Sequence, residues 1–342
     1  MKTWRNILIF VSLVSFVACT KVVDVCTPEN ISYSVSSYAA ATKATDFSET
    51  SFSSSAWLHA GGSETGSLFM NAETITKNND IWAPERDYYW PTSPQSYLNF
   101  VSWYDAAGNP AVSESQISWT NRTVGEQDLI LLAQKAWKQK SNTRNYYRYG
   151  VPTLFRNLLA EVEFKAQAAV LEETEGSVTT SWEIVINSFE VNGVHSTSSI
   201  TLTNDTEPTV QDGAPVISEW TSTGWSASSA VDQFSADDDV TLTTSPQDVI
   251  ARRSVLPQAV DGISLSIDCS ITTTCVNGSV QHTLVEPLQI TDLALGSFSG
   301  AGDWEMNKRI TYTITIDPRT GLITIVPTVD NWSSNTSELI VE

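Results

Sequence analysis

The chain has 342 residues, and its 39 acidic residues outnumber its 19 basic ones to give a net charge of −20 at pH 7. A field of that sign repels nucleic acid and anionic lipid surfaces, so the composition excludes a DNA- or RNA-binding function. Hydrophobic residues make up 41% of the chain, which is enough apolar material for real cores. This length favours two domains, because a domain commonly takes about 150 residues.

The N-terminus predicts export. A basic start is followed by the apolar run Ile7–Val17. This run is too short to span a bilayer, where about 20 residues are needed, but it is typical of a signal peptide. Ala18 then precedes Cys19, as at a lipoprotein-processing site. We therefore predict a signal peptide over residues 1–18 and an acyl anchor (palmitate) on Cys19; ordinary cleavage nearby, with Cys19 discarded, is the alternative.

Two of the other cysteines are close in sequence. Cys269 and Cys275 flank Ser-Ile-Thr-Thr-Thr, a spacing that a β-hairpin could close, and an exported protein can form disulfides. The sequence therefore predicts a disulfide between Cys269 and Cys275. Cys26 is left over in the N-terminal segment, where an intermolecular bond is the alternative to a free thiol.

Alternation of apolar and polar residues predicts β-strands in much of the chain. The pattern occurs at residues 162–168, 182–186 and 263–267, and most clearly at 310–316. The turn-rich segment Asp317–Gly321 follows the last of these and predicts a hairpin. Many short strands with turn signals between them favour an all-β protein built from β-sandwiches.

One segment favours a helix instead. Glu126–Gln139 has no Gly or Pro and is rich in good helix formers. Its residues Leu129, Leu132 and Ala136 follow one another at three- and four-residue spacing, as on the apolar face of a helix. We therefore predict one short helical segment in the otherwise all-β chain.

The sequence offers few residues for catalysis. The histidines, His59, His195 and His282, are scattered, and there is no H-E-x-x-H zinc pattern. Gly296–Gly300 has Phe at the position where a nucleophile elbow needs Ser, and no Gly-rich phosphate loop is found. Asp237–Asp239 is more typical of a solvated loop than of a Ca²⁺ site. We predict that the protein is not an enzyme and has no cofactor or metal site.

Aromatic residues crowd into one part of the chain. Exposed aromatics could stack on sugars, but packing in thin sandwich cores is their more usual role, because buried area dominates what aromatic residues contribute. We expect core packing for most of them. The residues are Trp82, Tyr88, Tyr89, Trp90, Tyr97, Trp103 and Tyr104.

This cluster belongs to an ordered set of motifs. In order and spacing the set resembles the fimbrillin family of Bacteroidales, the Mfa-like branch in particular. One departure is visible, since Asn157 stands where the family commonly has His, and no catalytic role is attached to that position. The motifs are Thr42–Thr45, Asn79–Pro91, Tyr97–Tyr104, Asp128–Ala133, Val151–Ala160, Leu256–Gln258 and Trp304–Tyr312.

The resemblance implies a subunit of a type V fimbria (pilus) with two tandem transthyretin-like β-sandwich domains. A break in the strand pattern near residues 171–180 then divides the mature chain into a lipidated segment 19–44 with a removable strand, an N-terminal sandwich 45–172 and a C-terminal sandwich 173–342. The resemblance further implies a surface-exposed location at the outer membrane and in fimbriae. Cell adhesion or biofilm formation is the implied role, with other fimbrial subunits as partners and a host or bacterial surface as the ligand.

In that family a protease removes the N-terminal strand, and the C-terminal strand of a partner fills the groove. Asn30–Ser37 alternates as such a strand would. No Arg lies in the linker that follows, where Lys43 is the basic residue available to a trypsin-like enzyme. We predict cleavage after Lys43.

The donor strand is predicted near the C-terminus, where Ile323, Ile325, Leu339 and Val341 provide alternating apolar residues. The choice between a shaft, tip or anchor subunit stays open. The alternative function is a non-polymerising surface lipoprotein that binds glycan or a host protein, which exposed Trp residues in the 82–104 cluster would favour.

Overall fold

A computed structural model describes residues 30–39, 43–45, 47–93, 95–139, 150–206, 216–226, 231–236, 239–298, 300 and 302–331. Within these ranges the chain consists of β-strands joined by turns, with short 3₁₀ segments at Ala60–Gly62 and Leu295–Ser297. The all-β prediction is confirmed. No helical segment in these ranges has the length and apolarity to cross a membrane. The predictions for residues 1–18, Cys19, Cys26, Leu339 and Val341 fall outside the described residues.

The strands are numbered in chain order. The first twelve are β1 (Tyr33–Ala39), β2 (Lys43–Thr45), β3 (Ser51–His59), β4 (Ser67–Asn78), β5 (Ile81–Pro84), β6 (Tyr97–Asp105), β7 (Ala111–Val112), β8 (Gln116–Thr123), β9 (Ile130–Ala133), β10 (Lys135–Gln139), β11 (Val151–Asn157) and β12 (Ala160–Ala168). The others are β13 (Glu172–Glu175), β14 (Val178–Val194), β15 (Thr197–Thr203), β16 (Val216–Ser218), β17 (Thr221–Ser222), β18 (Asp232–Ser235), β19 (Val240–Thr241), β20 (Gln247–Val255), β21 (Ser264–Asn277), β22 (Val280–Ala294), β23 (Lys308–Asp317) and β24 (Leu322–Asn331).

The first sheet closes on itself. Its hydrogen-bonded path runs β6-β3-β4-β5-β1-β11-β9, and β9 pairs with β6 again. β10 and β16 extend this sheet beyond β6, and β2 folds back on β1. One face carries an aromatic-rich core with Phe52, Trp82, Leu98, Phe100 and Phe155. Alternation along each strand directs the intervening side chains to the other face.

A smaller sheet, in the order β17-β15-β8-β7, contributes to a second core with that other face. Ile117 and Trp119 on β8 belong to the same buried cluster as Val101 and Trp103 on β6. β15 pairs with β8 although it follows β14 in the chain. The N-terminal sheets are therefore completed by residues from the second half of the protein.

The third core lies between two further sheets. One has the order β20-β12-β23-β24, and the other has the order β13-β14-β21-β22 with β18 and β19 also paired to β14. β12 runs parallel to β23 from the pair Glu161–Arg309 to the pair Ala168–Ile316. The hairpin predicted at Asp317–Gly321 is confirmed as the turn between β23 and β24.

The predicted helix is wrong. Residues 130–133 form β9, and residues 135–139 form β10, with Gln134 between them. β9 pairs with β11 and β6, and β10 pairs with β6 and β16. All four residues of β9 are buried, so the strand has apolar side chains on both faces and loses the alternation that would reveal it.

The predicted domain division at residues 172 and 173 stays a prediction. The segment 171–180 contains a hairpin between β13 and β14. β12, which precedes this hairpin, packs in the same core cluster as β14 and β21. β15, which follows it, pairs with β8.

The predicted disulfide is wrong. Cys269 and Cys275 are both free thiols on β21. Six residues of extended strand separate their Cα atoms by about 20 Å at 3.3 Å per residue, whereas a disulfide needs Cα atoms within about 7 Å. The segment between them is an uninterrupted strand that pairs with β14 and β22 on its two sides, and not a turn.

Candidate functional site at the N-terminal strand

β1 is the strand that closes the first sheet, because it lies between β5 and β11. Its pairing with β11 is parallel and covers five residues, from the pair Tyr33–Val151 to the pair Ser37–Phe155. On the other side it meets β5 at a single residue pair, Tyr33 with Trp82. β1 is therefore held by a five-residue ladder along one edge, and along the other edge by one pair with β5 and, at its C-terminal end, by three pairs with β2.

Alternate residues of this segment fill the first core. Ile31 is 1% exposed, Tyr33 is 4% exposed, and Val35 packs against the same cluster in a partly buried position. Ser34, between them, is exposed. The groove is the space between β5 and β11 that β1 occupies above the first core. Burying an aliphatic or aromatic side chain of this size contributes about 1.5–3 kcal/mol, so these side chains provide much of the affinity of β1 for the groove.

Tyr33 has the most specific position in the groove. Its ring meets Phe52 and Phe100 edge to face, with centroids 5.5 and 5.8 Å away. Its hydroxyl donates to Ser54 Oγ at 3.1 Å and lies 3.9 Å from Met70 Sδ. Burial of the phenol raises the pKa of Tyr33 above its ordinary value, so the side chain remains a neutral hydrogen-bond donor.

Gly150 lets the chain approach the start of β1 closely. Its φ is +79°, and a Cβ built there would lie 2.7 Å from Ser32 O and 2.7 Å from Tyr33 C. The next amide, that of Val151, donates to Ser32 O at 2.7 Å. Only a residue without a side chain allows this approach.

The outer end of the segment is fixed by polar contacts. The Ile31 amide donates to Tyr88 O at 2.7 Å, and Asn30 Nδ2 donates to Asp87 Oδ1 at 2.9 Å. These contacts connect the segment to the Asn79–Pro91 motif. The N-terminal segment therefore has hydrogen-bond partners on both sides, in β11 and in the Asn79–Pro91 motif.

Lys43, the predicted cleavage residue, lies in β2. This short strand pairs with the end of β1, and Lys43 is opposite Ala39. A chain cut after Lys43 has no covalent link between β1 and β3. β1 would then be held by its ladder with β11, its buried side chains and the contacts of its outer end.

The last described strand of the chain, β24, is an edge strand. β24 pairs only with β23 in the described part of the chain. Ile325 is buried and Ile323 packs against the third core, so these two predicted donor residues are already packed within their own chain. Leu322, Val326 and Val329 are exposed on the same strand.

The aromatic cluster is mostly core. Trp82, Tyr88, Trp90 and Trp103 are buried, which confirms the expected packing, whereas Tyr89 is 42% exposed. Buried aromatic side chains cannot stack on a sugar ring. The cluster therefore serves the cores and leaves little aromatic surface for a glycan.

A cleft of about 240 Å³ lies between β6 and β20 and is lined by many carboxylates, among them Glu49, Asp105, Glu126, Asp128 and Glu161. Most of these have cationic partners in the same region. Arg122 pairs with both aspartates. Glu126 pairs with Arg253, and Glu161 pairs with Arg309. These ion pairs give the carboxylates a structural role and leave the described residues of the cleft without a set of free acidic groups that would indicate a binding site.

The part of the chain that contains these cores and motifs also matches the model of a known protein family. A family model described as Fimbrillin-like matches residues 40–332. The chain belongs to the fimbrillin-like family. The family assignment made from the ordered motifs is confirmed, and membership indicates a fimbrial subunit of a cell-surface appendage with a structural role.

Solved structures similar to this fimbrillin-like chain have low sequence identity to it. A fimbrial protein from Bacteroides vulgatus is 14% identical, with a TM-score of 0.51, and the alignment covers 89% of this chain and 100% of that one. A protein from Bacteroides uniformis with a proposed role in cell adhesion is also 14% identical, over 89% of this chain and 98% of that one, with a TM-score of 0.45. No curated protein matches the chain.

The structure brings some site residues of this fimbrillin-like chain together and leaves others apart. Ile31, Tyr33 and Val35 converge on one groove, and β2, with Lys43, adjoins the same strand. The alternation at Asn30–Ser37 indicated a strand here but gave no reason to single out Ser54 or Gly150. For Gly150, the available sequence signal was a glycine directly before an apolar strand.

Proposed function

We propose that this fimbrillin-like chain is a structural subunit of a type V fimbria that assembles by strand exchange, with β1 as the strand that is removed. The observation that carries the proposal is the place of β1 in the first sheet. It closes a cyclic path of strands through one parallel ladder, and its connection to β3 runs through Lys43. Removing it leaves β5 and β11 with open edges above an apolar groove.

The proposed assembly begins with cleavage after Lys43. The N-terminal segment is then held only by non-covalent contacts and can be displaced. A partner strand entering the groove pairs its backbone with β11 and directs alternate side chains into the pockets of Ile31, Tyr33 and Val35. Such β-augmentation gives affinity through main-chain hydrogen bonds and specificity through the pockets.

The proposed location is the outer surface of the cell. The acyl anchor on Cys19 holds the precursor at the outer membrane until cleavage separates residues 19–43 from the folded sandwiches. Leu339 and Val341 are the proposed donor residues toward the next subunit. The role in the cell is adhesion or biofilm formation through the assembled fimbria.

The alternative, a monomeric surface adhesin that binds glycan or host protein, has less support. Its best sequence evidence was the aromatic cluster, and Trp82, Trp90 and Trp103 are buried. The groove under β1 offers apolar pockets along an extended strand, which suits a polypeptide better than a carbohydrate.

The test is limited trypsin treatment of the purified precursor, followed by N-terminal sequencing and size-exclusion chromatography. The proposal expects a cut after Lys43 that frees the groove for a donor strand, seen either as polymer or as uptake of an added Asn30–Ser37 peptide. A Lys43→Gln variant is the matched control and is expected to stay monomeric under the same treatment. Wild-type protein that is cut after Lys43, remains monomeric at high concentration and takes up no added Asn30–Ser37 peptide would refute strand exchange.

A further inference from the structure

We infer that the groove under β1 selects a donor strand that carries tyrosine at the position of Tyr33. The inference rests on the proposed strand exchange and specifies the partner of that site. It depends on the polar end of an otherwise apolar pocket.

The pocket that holds Tyr33 is lined by aromatic rings along its side and by serine hydroxyls at its end. Phe52 and Phe100 contact the ring from two strands. At the far end lie Ser54 and Ser102, which are 0% and 2% exposed, with their hydroxyl oxygens 2.9 Å apart. Two buried serines among large apolar side chains need hydrogen-bond partners, because an unsatisfied buried polar group is unfavourable.

The Tyr33 hydroxyl supplies one of those partners. It donates to Ser54 Oγ at 3.1 Å, while Ser54 Oγ also lies 2.9 Å from Ser102 Oγ and 3.5 Å from Val101 O. Phenylalanine would fill the same space but leave Ser54 without this donor. Leucine would lose the hydroxyl and also leave part of the ring volume empty.

Sites built to hydrogen-bond a substrate hydroxyl discriminate strongly against an analogue that lacks it. For one neutral hydrogen bond we expect phenylalanine to bind about tenfold more weakly than tyrosine. The additional loss of ring volume makes leucine about a hundredfold weaker than tyrosine. The groove therefore favours a strand with tyrosine at the position of Tyr33, polar residues on either side of it, and aliphatic residues at the positions of Ile31 and Val35.

The proposed donor residues of this chain do not lie in such a pattern. No Tyr follows Tyr312 in the sequence, and the proposed donor residues Leu339 and Val341 lie in Ser-Glu-Leu-Ile-Val-Glu. The same pattern does recur as Ile310-Thr-Tyr-Thr-Ile314. That stretch is a central strand, with β12 on one side and β24 on the other, and Tyr312 is 0% exposed. It is not free to be donated.

The experiment uses the full chain with the recognition sequence of a sequence-specific protease inserted after Lys43, so that release does not depend on the natural enzyme. After cleavage, fluorescent peptides of equal length are added, and their uptake is measured by polarisation. The peptides are Asn30–Ser37, the same peptide with Tyr33→Phe or Tyr33→Leu, and Asn335–Glu342. A Ser34→Ala peptide is the control, because Ser34 is exposed in β1.

The inference expects affinity in the order Tyr, Phe, Leu, with the Asn335–Glu342 peptide among the weakest and Ser34→Ala unchanged. A Ser54→Ala protein should lose most of the preference for tyrosine over phenylalanine. Equal affinity of the tyrosine, leucine and Asn335–Glu342 peptides would overturn the inference while strand exchange stands. If the cleaved chain takes up none of the peptides, both the inference and the proposed strand exchange fail.

Discussion

Arg122 holds the carboxylate of Asp105 through two parallel hydrogen bonds, Nε to Oδ2 at 3.0 Å and Nη2 to Oδ1 at 2.9 Å. The Asp105 side chain is 0% exposed and that of Arg122 is 10% exposed. Trp119 Nε1 also donates to Asp105 Oδ2 at 3.0 Å, and Asp128 Oδ2 lies 2.9 Å from Arg122 Nη2. These contacts join β6, β8 and the segment before β9.

We predict that Asp105→Asn lowers the free energy of unfolding by about 2 kcal/mol, because Arg122 loses the charge of its two-point partner and keeps only Asp128. Asp80→Asn is the control, since that side chain is 96% exposed and pairs with Lys77 at the surface. The control should change stability by no more than about 0.5 kcal/mol. Urea unfolding measures both variants, and equal effects would show that the buried pair has no special role.

We predict that Gly150→Ala loosens β1. Both Gly150 and Gly278 have positive φ, but a Cβ at Gly278 has nothing within 4 Å. Gly278→Ala thus shares the backbone strain and lacks the clash with Ser32 and Tyr33. The clash should add about 2 kcal/mol of destabilisation beyond the control, with faster hydrogen exchange of the β1 amides. Identical exchange in the two variants would contradict the close approach.

We predict that Lys135→Met is neutral or stabilising at pH 7. Lys135 is 2% exposed, and its ammonium donates to Asn204 O at 2.8 Å and lies 4.7 Å from the Trp137 ring. Burial lowers its pKa below 10.5, so the folded state disfavours the charged form. A gain of about 1 kcal/mol is expected on replacing it with an apolar side chain.

The pH dependence provides the check on Lys135. Between the lowered pKa of Lys135 and 10.5, the unfolded chain binds more protons than the folded chain. The contribution of Lys135 to the free energy of unfolding therefore rises with pH in that range. The advantage of Lys135→Met over wild type should therefore shrink as the pH approaches 10.5. Lys77→Met, at a side chain 50% exposed, should show no such trend in urea unfolding. A Lys135→Met protein clearly less stable than wild type at pH 7 would mean that the bond to Asn204 dominates.

We predict that iodoacetamide labels Cys275 before Cys269. Cys269 is fully buried, and burial raises its pKa to about 11, so it presents little thiolate at pH 8. Cys275 is partly exposed. Tandem mass spectrometry should find at least tenfold more label on Cys275 in the folded protein and equal labelling in guanidinium. A Cys269–Cys275 disulfide in non-reduced material would contradict the strand assignment.

The strands with one apolar face and one polar face could be predicted from sequence, because alternation follows directly from the pleat. β12 and β23 are of this kind, and both were found. β9 could not be predicted in the same way, since its four residues are all buried, and a short apolar run does not distinguish strand from helix. Pairings over long separations, such as that of β8 with β15, leave no local signal.

The candidate site was predictable to a similar degree. The alternation of Ile31, Tyr33 and Val35 indicated a strand with one buried face, and the burial of these residues agrees. The partners that define the pocket, Ser54 and Ser102, lie in other strands, and their hydroxyls gain a role only when the fold brings them together. Sequence patterns predict elements better than they predict contacts between elements.

The pairing of β8 with β15 determines when the N-terminal half of the protein can be completed. Thr123 and Thr197 are hydrogen-bonded neighbours although 74 positions separate them. As the chain emerges during synthesis, β8 has no partner on that edge until residues 197–203 have also emerged. Long-range strand pairing of this kind slows folding, so the nascent chain must remain unaggregated through that interval.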